Sequence, residues 1–396
     1  MFAPKGLTVV LAVAAVGVIW ESLKSRRPLM GRLDGWALYL LLFAALCALS
    51  AVWAIEPART LRTVPSIFAV FFAGIVLVRA GLSLDQEGAA TLERFLVIGV
   101  LAALLLAVFE LLTGAWISLN LRALVGDPAE LTGEASKRLL NNGITVLTLL
   151  TWPAVCLTVR DGRAAATILL AGLLIAAVYL AEADVGITAV AIGVGAVLAS
   201  RLMRRWVPAL VPTLVVLAVV AAPLLMISFS PLQRHVDEFP RLSGSAYHRL
   251  IIWDAAGDLI RDRPLLGHGF DASRALGARF DPSVVEVDRR GEMVYRGLAH
   301  PLPLHPHNMA LQIWLELGLA GLMYFSGLVA ALVISAWRMT AAPIARDLFL
   351  GMLVSGAVVA FTAYGAWQNW WQSTLWICAM AMAFSLKRSP EKKAPG

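Results

Sequence analysis

The sequence predicts an all-α polytopic membrane protein with about 11–12 transmembrane helices and one large outer loop that contains amphipathic helices. Three observations carry this. Hydrophobic residues make up 59% of the 396 residues, and charged residues only 15%, where soluble domains carry about 25%. Mean hydropathy is +0.77. Apolar runs approaching the roughly 20 residues that cross a bilayer recur along the whole chain.

In order, the runs are residues 7–20, 36–53, 64–78, 96–112, 144–159, 164–180, 187–202, 207–229, 310–337, 348–367 and 371–386. A twelfth span would come from another division of the N-terminus or of 310–337. The first run is followed by Glu21-Ser22-Leu23-Lys24 rather than a small-residue cleavage site, so it reads as a retained helix. Trp20, Trp36, Trp53, Trp116, Trp206, Trp337, Trp367 and Trp370 fall at run ends, as an interfacial aromatic belt requires. Cys47, Cys156 and Cys378 all lie inside apolar runs and read as small core residues.

Lys and Arg set the orientation. One set of alternate connections holds Lys24, Arg26, Arg27, Arg32, Arg79, Arg94, Arg160, Arg163, Arg201, Arg204, Arg205, Arg338, Arg346, Lys387, Arg388, Lys392 and Lys393, about half of the 33 basic residues. Outside its one long loop, the opposite set holds Lys5, Arg59, Arg62, Arg122, Lys137 and Arg138. The first set is therefore cytoplasmic. The net charge of +7 reflects this bias and does not argue for a nucleic-acid partner.

Residues 230–306 form a long outer connection with balanced charges, which divides the chain. The expected organisation is an N-terminal bundle at 1–229, a loop mini-domain at 230–306, C-terminal helices at 307–386 and a basic cytoplasmic tail at 387–396. Polar chemistry is concentrated outside, away from nucleotide donors. Gly267-His268-Gly269 follows a helix and reads as a turn, since it lacks the strand-to-helix setting of a phosphate loop.

Within the loop, residues 245–262 read as a helix. Ser243-Gly244-Ser245 offers a cap and Pro264 ends it. Leu250, Ile251, Ile252, Trp253, Ala256, Leu259 and Ile260 form its apolar face, with Asp254, Asp258, Arg261 and Asp262 largely opposite. The helix lies on the membrane surface or caps the bundle. Arg249 and Trp253, four apart, share a face. A guanidinium there suits a phosphate clamp through paired N–H donors. A snorkelling Arg that packs its stem fits the same position.

His300, His305 and His307 fall within eight residues, where Pro301, Pro303 and Pro306 keep the chain extended. A helix then begins, with Asn308 a natural N-cap. Three readings of the cluster stand at this level. His-x-His could ligate a metal, although the prolines hold the rings from a common centre and no carboxylate is close. A histidine could serve structurally. Or His307, kept neutral by the positive end of the helix dipole, could act as a general base.

His307-Asn308, nine residues on to Gly318, and two more to Gly321 resembles the signature of the O-antigen ligase family. The likeness extends to Arg249-Leu250-Ile251-Ile252-Trp253 and to Arg263-Pro264-Leu265-Leu266-Gly267-His268-Gly269. The order of parts is similar too: many spans, a large late outer loop, the His motif at its end and few spans after it.

The resemblance implies a metal-independent, inverting glycosyltransferase of the GT-C-like membrane class, without a cofactor. It would act at the periplasmic face of the bacterial inner membrane. Its partners would be an undecaprenyl-diphosphate-linked glycan as donor, lipid A–core as acceptor and membrane lipid. His307 and Arg249 are the catalytic candidates. Asn308, His305, Arg263 and Trp253 are candidate substrate contacts. Many members carry Ser-Arg where this chain reads Glu182-Ala183-Asp184-Val185-Gly186. Arg59, Arg62, Lys137 and Arg138 are candidates for the second phosphate-binding cation. A polysaccharide polymerase and a protein O-oligosaccharyltransferase share these features. A secondary transporter is the alternative from another class, but no inverted repeat and no matched pair of Gly/Pro-broken spans is visible.

Overall fold

The computed structural model describes residues 4–26, 35–124, 133–203, 205–206, 244–289, 291–339 and 343–387, with scattered positions between 207 and 228. The first seven apolar runs become helices α1 (Leu7–Ser25), α2 (Gly35–Leu49), α3 (Pro57–Ser83), α4 (Gln86–Leu112), α6 (Gly133–Arg160), α7 (Ala164–Leu180) and α8 (Asp184–Leu202), with a short helix α5 (Trp116–Leu124) between the fourth and fifth runs. Their starts follow local chemistry. Pro57 opens α3 at a position whose N–H has no helical partner anyway. Asp85 caps α4, accepting the Gly88 N–H at 2.9 Å. Residues 244–299 supply α9 (Gly244–Asp262) and the short α10 (Ser273–Gly277), then strands β1 (Ser283–Arg289) and β2 (Glu292–Ala299). Helices α11 (Met309–Met339), α12 (Pro343–Thr362) and α13 (Asn369–Lys387) complete the chain.

Among the described residues, seven helices are long and apolar enough to cross a membrane, and two shorter ones are apolar. The chain is an all-α, multi-pass membrane protein. The expected span at 207–229 and the basic tail beyond Lys387 lie largely or wholly outside the described residues. A central core of Phe43, Phe71, Leu149, Ile313, Val359 and Trp371 ties α2, α3, α6, α11, α12 and α13 together.

Two features of residues 244–299 differ from or add to what the sequence predicts. Residues 283–299, to which the sequence reading assigns no element, form an antiparallel hairpin, with Val285 opposite Gly297 and Val287 opposite Tyr295. Gly291 turns the chain at φ 79°, and its N–H donates to Asp288 Oδ1 at 2.7 Å. Tyr295 packs on Tyr247 of α9, ring centroids 5.9 Å apart. The helix at 245–262 forms as expected and caps the bundle, one of the two placements expected of it. Its Ile252 and Ile260 pack into a core with Leu311, Trp314 and Leu315 of α11, each burial stabilising by about 2 kcal/mol. Asp254, expected on the solvated side, is buried instead.

Helix α11 is broken at Gly318, which takes φ 65° and ψ −163°. The break frees backbone groups that a helix would pair internally. The segment 264–269 takes them up. His268 and Gly269 N–H donate to the carbonyls of Leu315 and Glu316 at 3.0 and 2.8 Å, and Leu319 N–H donates to Pro264 O at 2.9 Å. At membrane depth, irregular backbone persists only with such partners. A Cβ on Gly318 would meet Leu265 O at 2.2 Å, and one on Gly267 the Glu316 backbone at 2.5 Å. One glycine of each motif, Gly267 and Gly318, thus forms the contact surface of one strapped joint.

Candidate active site

His307 stands just ahead of α11 with φ 54°, a left-handed conformation that costs a residue with a Cβ about 1–3 kcal/mol. Its surroundings over-determine it. The flanking Pro306 carbonyl accepts the Trp253 Nε1–H at 2.9 Å. The His307 N–H donates to His305 Nδ1 at 3.2 Å. His307 Nδ1 lies 2.6 Å from the Ala363 carbonyl oxygen, at the end of α12. A carbonyl only accepts, so Nδ1 carries the proton and Nε2 carries the lone pair. Burial pushes the His307 pKa below its ordinary value. The Ala363 bond opposes this, and Arg249 and His248 of α9 push further down. The neutral state expected from the helix dipole is reached chiefly through burial.

His305 packs its ring against that of His307, centroids 4.3 Å apart. It is 9% exposed, and burial above all, with His307 and Arg274 nearby, drives its pKa down to about 3. Its Nδ1 accepts the His307 N–H, so Nε2 bears the proton. Gln368 Nε2 lies 3.0 Å from that nitrogen, while Gln368 Oε1 is buried with no partner among the described residues. Turning the amide half a revolution joins these into one bond, His305 Nε2–H to Gln368 Oε1. With both nitrogens engaged by protein, His305 supports His307 rather than facing a ligand. Asn308, 4% exposed, is committed similarly: its Oδ1 caps α11 by accepting the Leu311 N–H at 3.1 Å.

Arg249 sits one turn before Trp253, within electrostatic range of His307, half-buried and 3.4 Å from Ser245 Oγ. Burial lowers its pKa and the Asp184 carboxylate opposes that; a guanidinium remains charged regardless. The stretch that lacks the Ser-Arg pair therefore brings a carboxylate toward Arg249. Lys137 pairs with Glu182 in the same stretch.

The remaining cations are differently placed. Arg59 pairs with Asp271 at 2.9 Å, and Thr63 Oγ1 donates to the same carboxylate at 2.9 Å. Arg62 is exposed and donates to Ala58 O of its own helix at 3.2 Å. Arg263 is exposed, 3.5 Å from the Trp53 carbonyl. With Trp53 and residues 264–267 it lines an open cavity of about 320 Å³. Arg138 lies on α6, and its side chain falls outside the described residues.

Sequence reasoning missed the connection 363–368, which supplies partners to both histidines. The run 348–367 was read as one span, whereas α12 ends at Thr362. Gly365, Gln368 and Asn369, interrupting two apolar runs, were the available signal. What results, among the described residues, is a neutral imidazole with a free lone pair, a nearby guanidinium and no carboxylate competing for the Nδ1 proton. Such a site can take a proton from a hydroxyl while holding an anion.

Residues 169–326, which contain α9, the strap and His307, match the family described as O-antigen ligase. Over this region the chain is similar to the O-antigen ligase family. A Rickettsia felis protein named "Putative polysaccharide ligase" is 25% identical over 343 residues, 86% of this chain and 78% of that protein. Similarly named proteins of Rickettsia prowazekii and Rickettsia conorii are 25% identical over 341 residues each, 86% of this chain and 78% and 77% of theirs. The matched O-antigen ligase region ends at Ser326, beyond Gly318 and Gly321, so it takes in the whole strapped joint. These likenesses support an enzyme of the ligase or glycosyltransferase type, acting in polysaccharide synthesis.

Proposed function

We propose that this enzyme moves a glycan from undecaprenyl diphosphate to an acceptor hydroxyl at the periplasmic face of the bacterial inner membrane, ligating O-antigen onto lipid A–core. The observation that carries this is the His307 Nδ1–Ala363 bond, which leaves Nε2 unprotonated within electrostatic range of Arg249. The acceptor oxygen attacks the anomeric carbon while its proton passes to His307 Nε2. The bond from that carbon to the diphosphate oxygen breaks on the opposite face, which inverts the configuration. The charge arriving on the lipid diphosphate meets Arg249, so no acid need protonate the leaving group. A metal is not needed in this scheme, because the guanidinium supplies the electrophilic charge.

Reconstitution tests the reading. Purified protein in liposomes receives an undecaprenyl-diphosphate glycan, with lipid A–core and a second lipid-linked glycan competing as acceptors. Transfer to lipid A–core is expected. Extension of the lipid-linked glycan instead would make the chain a polymerase, and glycan flux across the membrane without bond exchange would make it a transporter.

A further inference from the structure

Glu316 is a completely buried carboxylate on α11, nine residues beyond His307. Five donors surround it. Oε2 accepts the Asp271 N–H at 2.7 Å and the Trp367 Nε1–H at 2.5 Å. Oε1 accepts the Ser273 N–H and O–H at 3.3 and 2.5 Å, and the Gln312 Nε2–H at 3.0 Å. Four of the five partners are N–H groups that cannot accept, so this shell fits an acceptor-only carboxylate. It leads to the missed connection. Gln312 Oε1 accepts the Ala366 N–H at 2.7 Å, and Gln372 Nε2 donates to the Ala366 carbonyl at 2.5 Å. The Ala366 peptide is therefore gripped on both sides. Three residues before it stands the carbonyl that holds His307 Nδ1, and two residues after it stands Gln368 beside His305.

We propose that Glu316 is the positioning residue of this site: through Gln312 and Trp367 it fixes the 363–368 connection that holds His307 in its base-competent tautomer, without itself touching substrate. This rests on His307 acting as the base. The same carboxylate ties Asp271 and Ser273 to α11, so the strap and the histidine holder share one anchor. An apolar side chain of equal volume would fill the space and leave five donors unpaired, a far greater loss than one hydrogen bond.

The test uses the full-length protein in detergent and in liposomes. Glu316→Gln keeps the volume but turns an N–H₂ group toward donors. It is expected to lower kcat per folded molecule by roughly a hundredfold, with KM for the lipid-linked glycan little changed. Loss of the Ala363 bond, which raises the His307 pKa, should also move the acid limb of the rate profile to lower pH. The other groups facing His307, Arg249, His248 and His305, are unaltered in this variant. Trp367→Phe, which removes one donor, should act in the same direction more weakly, and it stands in if Glu316→Gln does not fold. Asp347→Asn is the control. This buried carboxylate on α12 is bound to Ser200 and neighbours Arg201, and its loss should lower the unfolding midpoint without moving kcat or the acid limb. Unchanged kcat and acid limb in a folded Glu316→Gln protein would overturn the proposal. If the wild type transfers no glycan, the substrate reading fails instead. The His307 tautomer, read from ring ¹⁵N shifts in wild type and variant, then decides the positioning role alone.

Discussion

His307 Nδ1 and the carbonyl oxygen of Ala363 face each other across 2.6 Å and 56 residues of sequence. The acceptor is backbone, so no side-chain substitution at 363 deletes it, and the tautomer is set by where the chain runs. Burial keeps the ring neutral below the ordinary histidine range.

The first expectation concerns pH. A base with a lowered pKa stays competent as pH falls past about 6.5, so the acid limb of kcat/KM should lie below that value. His307→Ala should cut transfer by about 10²–10⁴-fold while the protein still inserts and elutes as wild type. Transfer at the wild-type rate in the alanine variant would end the general-base role.

Arg249 tests geometry against charge. Arg249→Ala should lose most transfer. Arg249→Lys should recover only part, because an ammonium lacks the paired N–H fork that a phosphate accepts. Complete recovery with Lys would mean that a point charge suffices at that position.

The strapped joint predicts a stability effect remote from the chemistry. Gly318→Ala forces a Cβ into Leu265 O and holds a left-handed φ; destabilisation of about 2 kcal/mol or more is expected. On α7, Gly172 has open space where a Cβ would go, so Gly172→Ala serves as the comparison and should be near neutral. Thermal unfolding in detergent reads both. Equal midpoints would mean that the strap yields readily.

His305 couples folding to acidity. Its folded pKa is about 3, against about 6.5 unfolded, so between these values the unfolded chain binds the extra proton. The stability held above pH 6.5 is therefore lost as pH falls toward 3, by at most about 1.4 kcal/mol per pH unit. Unfolding midpoints at pH 7.5 and 5.5 should diverge in the wild type and diverge less in His305→Gln, where the other histidines with lowered pKa values still contribute. The same divergence in both proteins would assign the loss to other groups.

The helices were legible because lipid imposes one rule on every span: apolar side chains outside and backbone bonds inside. His307, Gly318 and Gly321 were legible through their resemblance to a family signature. The hairpin at 283–299 was readable in principle, since Val285 and Val287 alternate with Glu286 and Asp288 ahead of Gly291, but the balanced charges drew attention from that period. The partners of His307 and Glu316 were not readable. Ala363 and Trp367 lie more than fifty residues from them, and a backbone carbonyl has no residue type to mark it. The use of His305 as a scaffold is invisible for the same reason: its neighbour Gln368 sits 63 positions on.

The joint at Gly318 gives the eleven-residue interval from His307 a physical meaning. Three helical turns, about 16 Å at 1.5 Å per residue, must fit between the 363–368 connection at one end and the 264–269 strap at the other. The interval works as a gauge block: one residue inserted or removed would turn His307 by about 100° relative to the strap. A change of length is therefore excluded from the stretch between histidine and glycine.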